Sequence, residues 1–376
     1  MHACALAVSG CSLTTAVTFA TGLTGRGSQP SCLHDCPRLH QNNQPRVGGV
    51  ARQSKDVYKG VSVFSSRAHV HPLQYAYSQS AAWGGYMADM RGKVVLVTGA
   101  TNGIGQVTAR ELARMGATTV IAGRNAEKLQ ATVEEIRQQA PDAQVDSLRA
   151  DLSLMTDVRT LAETFLNRYD RLDVLVNNAG AGASQRHITP EGFERMFALN
   201  HLSYFLLTYL LLDKLKASAP ARVINVASDA HRSVRLDFDN LQSEHDWGRA
   251  GYRAYGRTKL ANILFTRELA RRLEGTGVTA NAVHPGVVAT GIWSGAGGIF
   301  GRIAGAIAPL VMKTPEQGAQ TSIYVASSPE AAGQTGLYFS NGHPVQPAPA
   351  AQDDEAARRL WAISAEMVGL AEVATG

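Results

Sequence analysis

The stretch Val94-Val95-Leu96-Val97-Thr98-Gly99-Ala100-Thr101-Asn102-Gly103-Ile104-Gly105 decides the fold. Its first four residues are apolar and three are β-branched, which predicts a buried strand. Gly99, Gly103 and Gly105 then predict a tight turn and a helix opening near Gly103. Without a Cβ they let the backbone approach a phosphate, and a helix start offers free N–H groups and the positive end of its dipole. The spacing is G-x-x-x-G-x-G rather than G-x-G-x-x-G, so the phosphate reading rests on the strand–turn–helix setting.

Outward from this segment the pattern is regular. Short β-branched runs at 93–98, 118–122, 145–150, 173–176, 221–226, 278–283 and 336–339 read as strands. Between them lie helical patterns at 104–115, 126–139, 155–168, 190–216, 252–274 and 315–326, with a last one at 353–369. Runs such as Val223-Ile224-Asn225-Val226 are nearly all apolar, as in a parallel sheet covered on both faces. Right-handed crossovers then predict an α/β fold: a Rossmann-type, doubly wound parallel sheet of about seven strands in a single domain, 87–376. Segment 229–251 is polar and reads as a surface insertion.

Residues 1–86 lack sustained periodicity and are expected to be mostly disordered. Seven of the 36 Lys and Arg but only two of the 31 Asp and Glu precede Met87, so the remaining 29 and 29 balance. The excess charge of +5 therefore belongs to the first segment, and nucleic acid is not an expected partner. All four cysteines, Cys4, Cys11, Cys32 and Cys36, also precede Met87, leaving the domain without thiol chemistry. Cys32 and Cys36 with His34 and His40 lack a second ligand pair at zinc-finger spacing, so no metal is expected. The segment reads as a transit peptide, as a secretory or lipoprotein signal around Val8-Ser9-Gly10-Cys11, or as the product of an upstream start codon. Met87 or Met90 is the natural start under the last reading, and the domain is then cytoplasmic; a transit peptide implies organelle import. No apolar run is long enough to span a membrane, although Gly298–Met312 could lie on its surface.

Candidate site residues cluster where strands end. The second strand runs into Gly123-Arg124-Asn125, where an acid binds a ribose 2′-hydroxyl and an Arg accommodates a 2′-phosphate; Arg124 points to NADP over NAD. Asp151 and Leu152 follow the third strand, and Asp151 serves either the ligand edge or the cap of the next helix. Asn178-Ala179-Gly180 ends the fourth strand, and Ser228 follows the fifth as a carbonyl-binding hydroxyl or a turn serine. Asn200 falls mid-helix, where Asn is a poor helix former, which favours a buried role. Tyr255 and Lys259, four apart, share a helix face, so the ammonium is expected to lower the phenol from its ordinary value of about 10.

Taken in order, Thr98-Gly99-x-x-x-Gly103-Ile104-Gly105, Asn177-Asn178-Ala179-Gly180, Asn200, Ser228 and Tyr255-x-x-x-Lys259 resemble the short-chain dehydrogenase/reductase family over residues 90–370. Phe205–Leu212, Lys259-Leu260-Ala261-Asn262 and His284–Thr290 resemble its retinol dehydrogenase-like group. The resemblance implies catalytic roles for Tyr255 as acid or base, Lys259 as its pKa-lowering partner and ribose ligand, Ser228 as carbonyl ligand and Asn200 as support for a proton-relay water. It implies cofactor contacts at Gly99, Thr101, Asn102, Gly103, Ile104, Gly105, Asn178, Ala179 and Gly180, and at Pro285, Gly286, Val288 and Thr290 beside the nicotinamide. Ile292–Met312, apolar and just beyond that loop, reads as a lid over a lipophilic aldehyde, ketone or alcohol. A double-bond reductase of a pigment or lipid and a non-catalytic NADP-binding regulator are the competing readings. The resemblance also implies a possible homodimer through helices 190–216 and 252–274.

Overall fold

Strand β1 (Val94–Thr98) turns at the glycines into helix α1 (Gly103–Arg114), as the opening stretch predicts. The computed structural model describes residues 88–288 and 312–370, all within one compact unit. Alternation continues through β2 (Thr118–Gly123), α2 (Ala126–Gln139), β3 (Val145–Arg149), α3 (Met155–Arg168) and β4 (Val174–Asn177). The second half runs through α4 (Ser203–Leu210), α5 (Leu212–Ala217), β5 (Ala221–Val226), α6 (Tyr252–Arg272) and β6 (Val278–His284). It ends with α7 (Pro315–Ser327), β7 (Tyr338–Ser340), β8 (His343–Pro344) and α8 (Asp354–Met367).

The sheet order is β3-β2-β1-β4-β5-β6-β7-β8, with every pair parallel except the last. Direction of winding reverses between β1 and β4, which opens a crevice at the carboxyl ends of these strands. Successive side chains of a strand point to opposite faces, and both faces are dry here. Leu96, Leu175 and Val223 enter one core with Val158, Phe165, Leu206 and Leu264; Val97, Val176 and Ile224 enter the other with Leu112, Ile136 and Val325. Helices α3, α4, α6 and α8 therefore cover one face, and α1, α2 and α7 the other. Polar residues within the strands find partners on the helices. Asn177 Nδ2 donates to Thr208 Oγ1 and Asn225 Oδ1, and Asn225 Nδ2 donates to Thr266 Oγ1.

Two sequence expectations change, and one short strand joins the seven expected. The helix read over 190–216 is broken: a single turn, Arg195–Phe197, leads into a π-helical turn, Ala198–Leu202, before α4 and α5. Segment 229–251 is not merely a surface insertion, because Ala230, His231, Leu241 and Ser243 are buried and it begins as the turn that carries Ser228. The eighth strand has two residues, too short for any periodicity to announce. The extension 1–86, Thr290 and most of the lid stretch 292–312 lie outside the described residues. No described helix is long and apolar enough to cross a membrane. Helix α8 packs on the pair of helices expected to meet a second copy: the Trp361 ring lies 4.9 Å from that of Phe205 and 5.8 Å from that of Phe265.

Candidate active site

The ends of β1, β4, β5 and β6 are neighbours in the sheet, so Gly99, Asn178, Ser228 and Pro285 come to one edge. Gly99 adopts φ +64°, and a Cβ there would lie 2.6 Å from Ala179 Cα, so only glycine lets the ends of β1 and β4 approach this closely. At Gly105 a Cβ would strike the Asn178 amide and, at 2.5 Å, the Gly99 carbonyl. Asn178 ties the same turn, donating from Nδ2 to Thr98 O at 2.9 Å and Gly99 O at 3.1 Å. Thr98 Oγ1 accepts from the N–H groups of Asn178 and Ala179. Thr98 had no assigned role in the sequence, although its place before the first glycine was the available signal.

The start of α1 carries no side-chain cap from Asn102, and Thr101, Asn102 and Gly103 are at least partly exposed. Uncapped N–H groups behind a turn in which added Cβ atoms would clash fit a pyrophosphate. Ile104 packs with Val288 against Ala319, bringing the loop after β6 onto the first turn of α1. Pro285 is buried, and Gly286 takes φ +89° beside Lys313. Arg124 is exposed at the end of β2, and its carbonyl accepts from Arg149 Nε at 3.3 Å. Asp151 Oδ1 accepts from Ser153 N and Oγ at 3.1 and 2.7 Å. Burial opposes its charge, but the Ser153 bonds and the charges of Arg124 and Arg195 hold its carboxyl below the usual range. Asp151 does not cap α3; Glu191 does, accepting from the N–H groups of Met155 and Thr156. Leu152 is buried behind this turn.

The π-helical turn explains Asn200. One extra residue in the turn swings its amide toward β4, where Oδ1 accepts from Ala181 N at 2.9 Å and Nδ2 donates to Ala181 O and Thr258 Oγ1, both at 3.0 Å. A Cβ at Gly180 would lie 3.2 Å from Asn200 Oδ1 and 3.4 Å from Lys259 Nζ, which shows how closely β4, the π turn and α6 converge. Lys259 Nζ donates to Val226 O at 2.9 Å and lies 5.6 Å from the Tyr255 ring centroid. Burial lowers the Lys259 ammonium to about 7. The expected lowering of the phenol is not found. Burial pushes Tyr255 up to about 12 against the pull of a hydrogen bond with the Ser228 side chain. The physical reason is placement: Nζ is turned to a carbonyl beside the ring and its own charge is disfavoured.

Ser228 is the turn serine its sequence allowed, and its side chain also meets Tyr255. Its hydroxyl accepts from Ala230 N at 3.2 Å as cap of the turn Asp229–Ser233, and it is the hydrogen-bond partner of Tyr255. Met196, Ala230 and Ala254 form a small apolar cluster around Tyr255, with Trp247 packed against it. Tyr204 went unnoticed in the sequence; its ring lies 5.8 Å from Lys259 Nζ and its buried hydroxyl has no hydrogen-bond partner among the described residues. A phenol one helical turn after Asn200 was the signal.

A family model described as short chain dehydrogenase matches residues 93–239 and 240–297. Human retinol dehydrogenase 13 is 46% identical over 291 residues, covering 75% of this chain and 86% of its own. Human retinol dehydrogenase 12 is 45% identical over 279 residues, covering 74% and 87%. Among solved structures, a short chain dehydrogenase from Escherichia coli CFT073 complexed with NADPH has a TM-score of 0.55 at 25% identity, covering 69% of this chain and all of its own. A Pseudomonas aeruginosa RhlG/NADP complex has a TM-score of 0.52 at 30% identity, covering 67% and 95%. With the glycine turn, Ser228, Tyr255 and Lys259 assembled at one sheet edge, these matches make the chain a member of the short-chain dehydrogenase family, in its retinol dehydrogenase-like group, and hence an oxidoreductase acting on alcohol and carbonyl groups.

Proposed function

We propose that this protein interconverts a lipophilic aldehyde or ketone and its alcohol with NADP(H), using Tyr255 as the proton donor and acceptor. The observation that carries the reading is the buried Tyr255 hydroxyl hydrogen-bonded to Ser228 at the sheet edge that also holds the glycine turn. A nicotinamide cofactor bound at the glycine turn would supply or take up the hydride. Ser228 holds the carbonyl oxygen, and Tyr255 gives that oxygen its proton as the alkoxide forms. A phenol at about 12 keeps its proton throughout the neutral range, which suits a donor in reduction. Lys259 would bind the ribose hydroxyls, and Asn200 would support the water that returns a proton to Tyr255. The apolar groups around Tyr255, with Trp247, support a lipophilic substrate. NADP over NAD rests on Arg124 and on the absence of an acid at the end of β2.

NADPH oxidation against a panel of aldehydes, ketones and enones tests the reading. Tyr255→Phe is expected to lower turnover by about 10²–10⁴-fold, the usual contribution of a general acid, with NADPH binding unchanged by fluorescence titration. Turnover retained in Tyr255→Phe, or activity confined to enones, would overturn it.

A further inference from the structure

His231 lies three residues after Ser228, in the turn Asp229–Ser233, and its ring is fully buried. Nδ1 is 2.7 Å from the Ser228 carbonyl oxygen, and Nε2 is 3.0 Å from the backbone nitrogen of Ala348. A carbonyl can only accept and an amide N–H can only donate, so the partners assign one state: neutral, with the proton on Nδ1. The Tyr338 ring closes one side edge-on, at 5.1 Å between centroids. The same turn is gripped elsewhere too: Asp229 accepts from the Tyr338 hydroxyl at 3.0 Å, and Arg232 donates to Gln346 O at 3.0 Å.

We infer that His231 is a positioning residue for the reaction: it clamps the backbone of Ser228 to the segment after β8 and so sets where the Ser228 hydroxyl meets Tyr255. The inference rests on the role proposed for Ser228. Ser228 caps its own turn, so its hydroxyl moves with that turn. The turn has five residues and rests on α6, where Ala230 packs with Ala254 and Tyr255, and the His231 Nδ1–H bond to Ser228 O fixes the carbonyl end of Ser228 at 2.7 Å. Burial holds the imidazole below its ordinary range, which keeps Nε2 an acceptor for Ala348 at neutral pH. The segment around Ala348, remote in sequence from every catalytic candidate, thereby becomes part of the site's support.

The two ring nitrogens can be tested separately. His231→Asn places an amide donor at the level of Nδ1 and drops the contact to Ala348. His231→Gln places an amide oxygen at the level of Nε2 and drops the donor to Ser228. Each variant breaks one half of the clamp, so both are expected to lower kcat: His231→Gln by at least about tenfold, a change of about 1.4 kcal/mol in barrier, and His231→Asn by more than about threefold, with KM for NADPH unchanged in both. A kcat within about threefold of wild type in either variant, or an effect on KM alone, would overturn the inference. Ser228→Ala and Tyr255→Phe are run alongside. If both are inactive while His231→Gln turns over normally, only the His231 inference falls; if Tyr255→Phe stays active, the functional reading fails; if Ser228→Ala stays active, both fail. Should the variants not fold, ring ¹⁵N shifts of the ¹⁵N-histidine-labelled wild-type protein decide it: a His231 ring protonated on Nε2 overturns the assignment.

Discussion

At the scale of single residues, Lys259 is a charged group that the fold tolerates rather than prefers. Burial takes its ammonium from the ordinary value of 10.5 to about 7. The folded-state value is depressed, so between about 7 and 10.5 the unfolded chain binds more protons and stability rises with pH. Below about 7 both states are protonated and the full penalty is present. Lys259→Met removes it. Val226 O, which Nζ contacts, still accepts from Asn262 Nδ2 at 3.2 Å, so the substitution orphans no carbonyl. The cofactor-free variant is expected to be more stable at pH 7 by on the order of a few kcal/mol, a gain that fades toward pH 10.5. Urea unfolding of both proteins at pH 7 and pH 10 checks it; a variant less stable at pH 7 would show that the ammonium contributes favourably. Tyr255 and Lys259 were legible in the sequence because helical spacing places them on one face. The direction of their pKa shifts was not, because it depends on the depth of burial and on which carbonyl the ammonium meets.

At the scale of elements, the π-helical turn is what joins the helical layer to the site. Apolar periodicity over 190–216 predicts one helix, and the hydrophobic face is indeed continuous through Phe197, Leu202, Phe205 and Leu206. The break was illegible because a single inserted residue barely disturbs that pattern, and only Asn200, an unfavoured helix residue, hinted at it. Its three hydrogen bonds hold the Ala181 backbone and Thr258 of α6 together. Asn200→Ala leaves the Ala181 N–H and carbonyl without these partners, whereas Thr258 Oγ1 keeps its bond to Tyr255 O. Ala181 is only half-buried, so water reaches part of its backbone, and the loss in unfolding free energy is expected to be about 1–3 kcal/mol in total, with the urea m value unchanged. A loss below about 1 kcal/mol would mean that water takes over these bonds and that packing alone holds the turn.

At the scale of the whole molecule, right-handed crossovers imply a doubly wound sheet and seven strands fall near where β-branched runs place them, whereas the strand order is read from the structure. What that order does is gather β1, β2 and β3 so that Gly99, Arg124 and Asp151 lie along one edge, 25–27 residues apart in sequence. A ligand spanning that edge ties three strands and their two crossovers together, and in a cooperatively folding unit its binding is read as global stability. NADPH at about 100 times its Kd is expected to stabilise the protein by about 2.7 kcal/mol. If Arg124 meets the 2′-phosphate, Arg124→Ala weakens NADPH binding about tenfold or more, and the same concentration then yields about 1.4 kcal/mol or less. NADH has no 2′-phosphate, so its smaller effect should be the same in both proteins. Arg149 donates to the Arg124 carbonyl from the neighbouring strand, so the backbone of the turn stays held when the Arg124 side chain is removed. Thermal melts of wild type and Arg124→Ala with each cofactor separate the outcomes. A selective loss of the NADPH shift supports the 2′-phosphate contact. Equal loss with both cofactors points to damage to the β2 turn, and an unchanged NADPH shift removes Arg124 from the basis of cofactor choice.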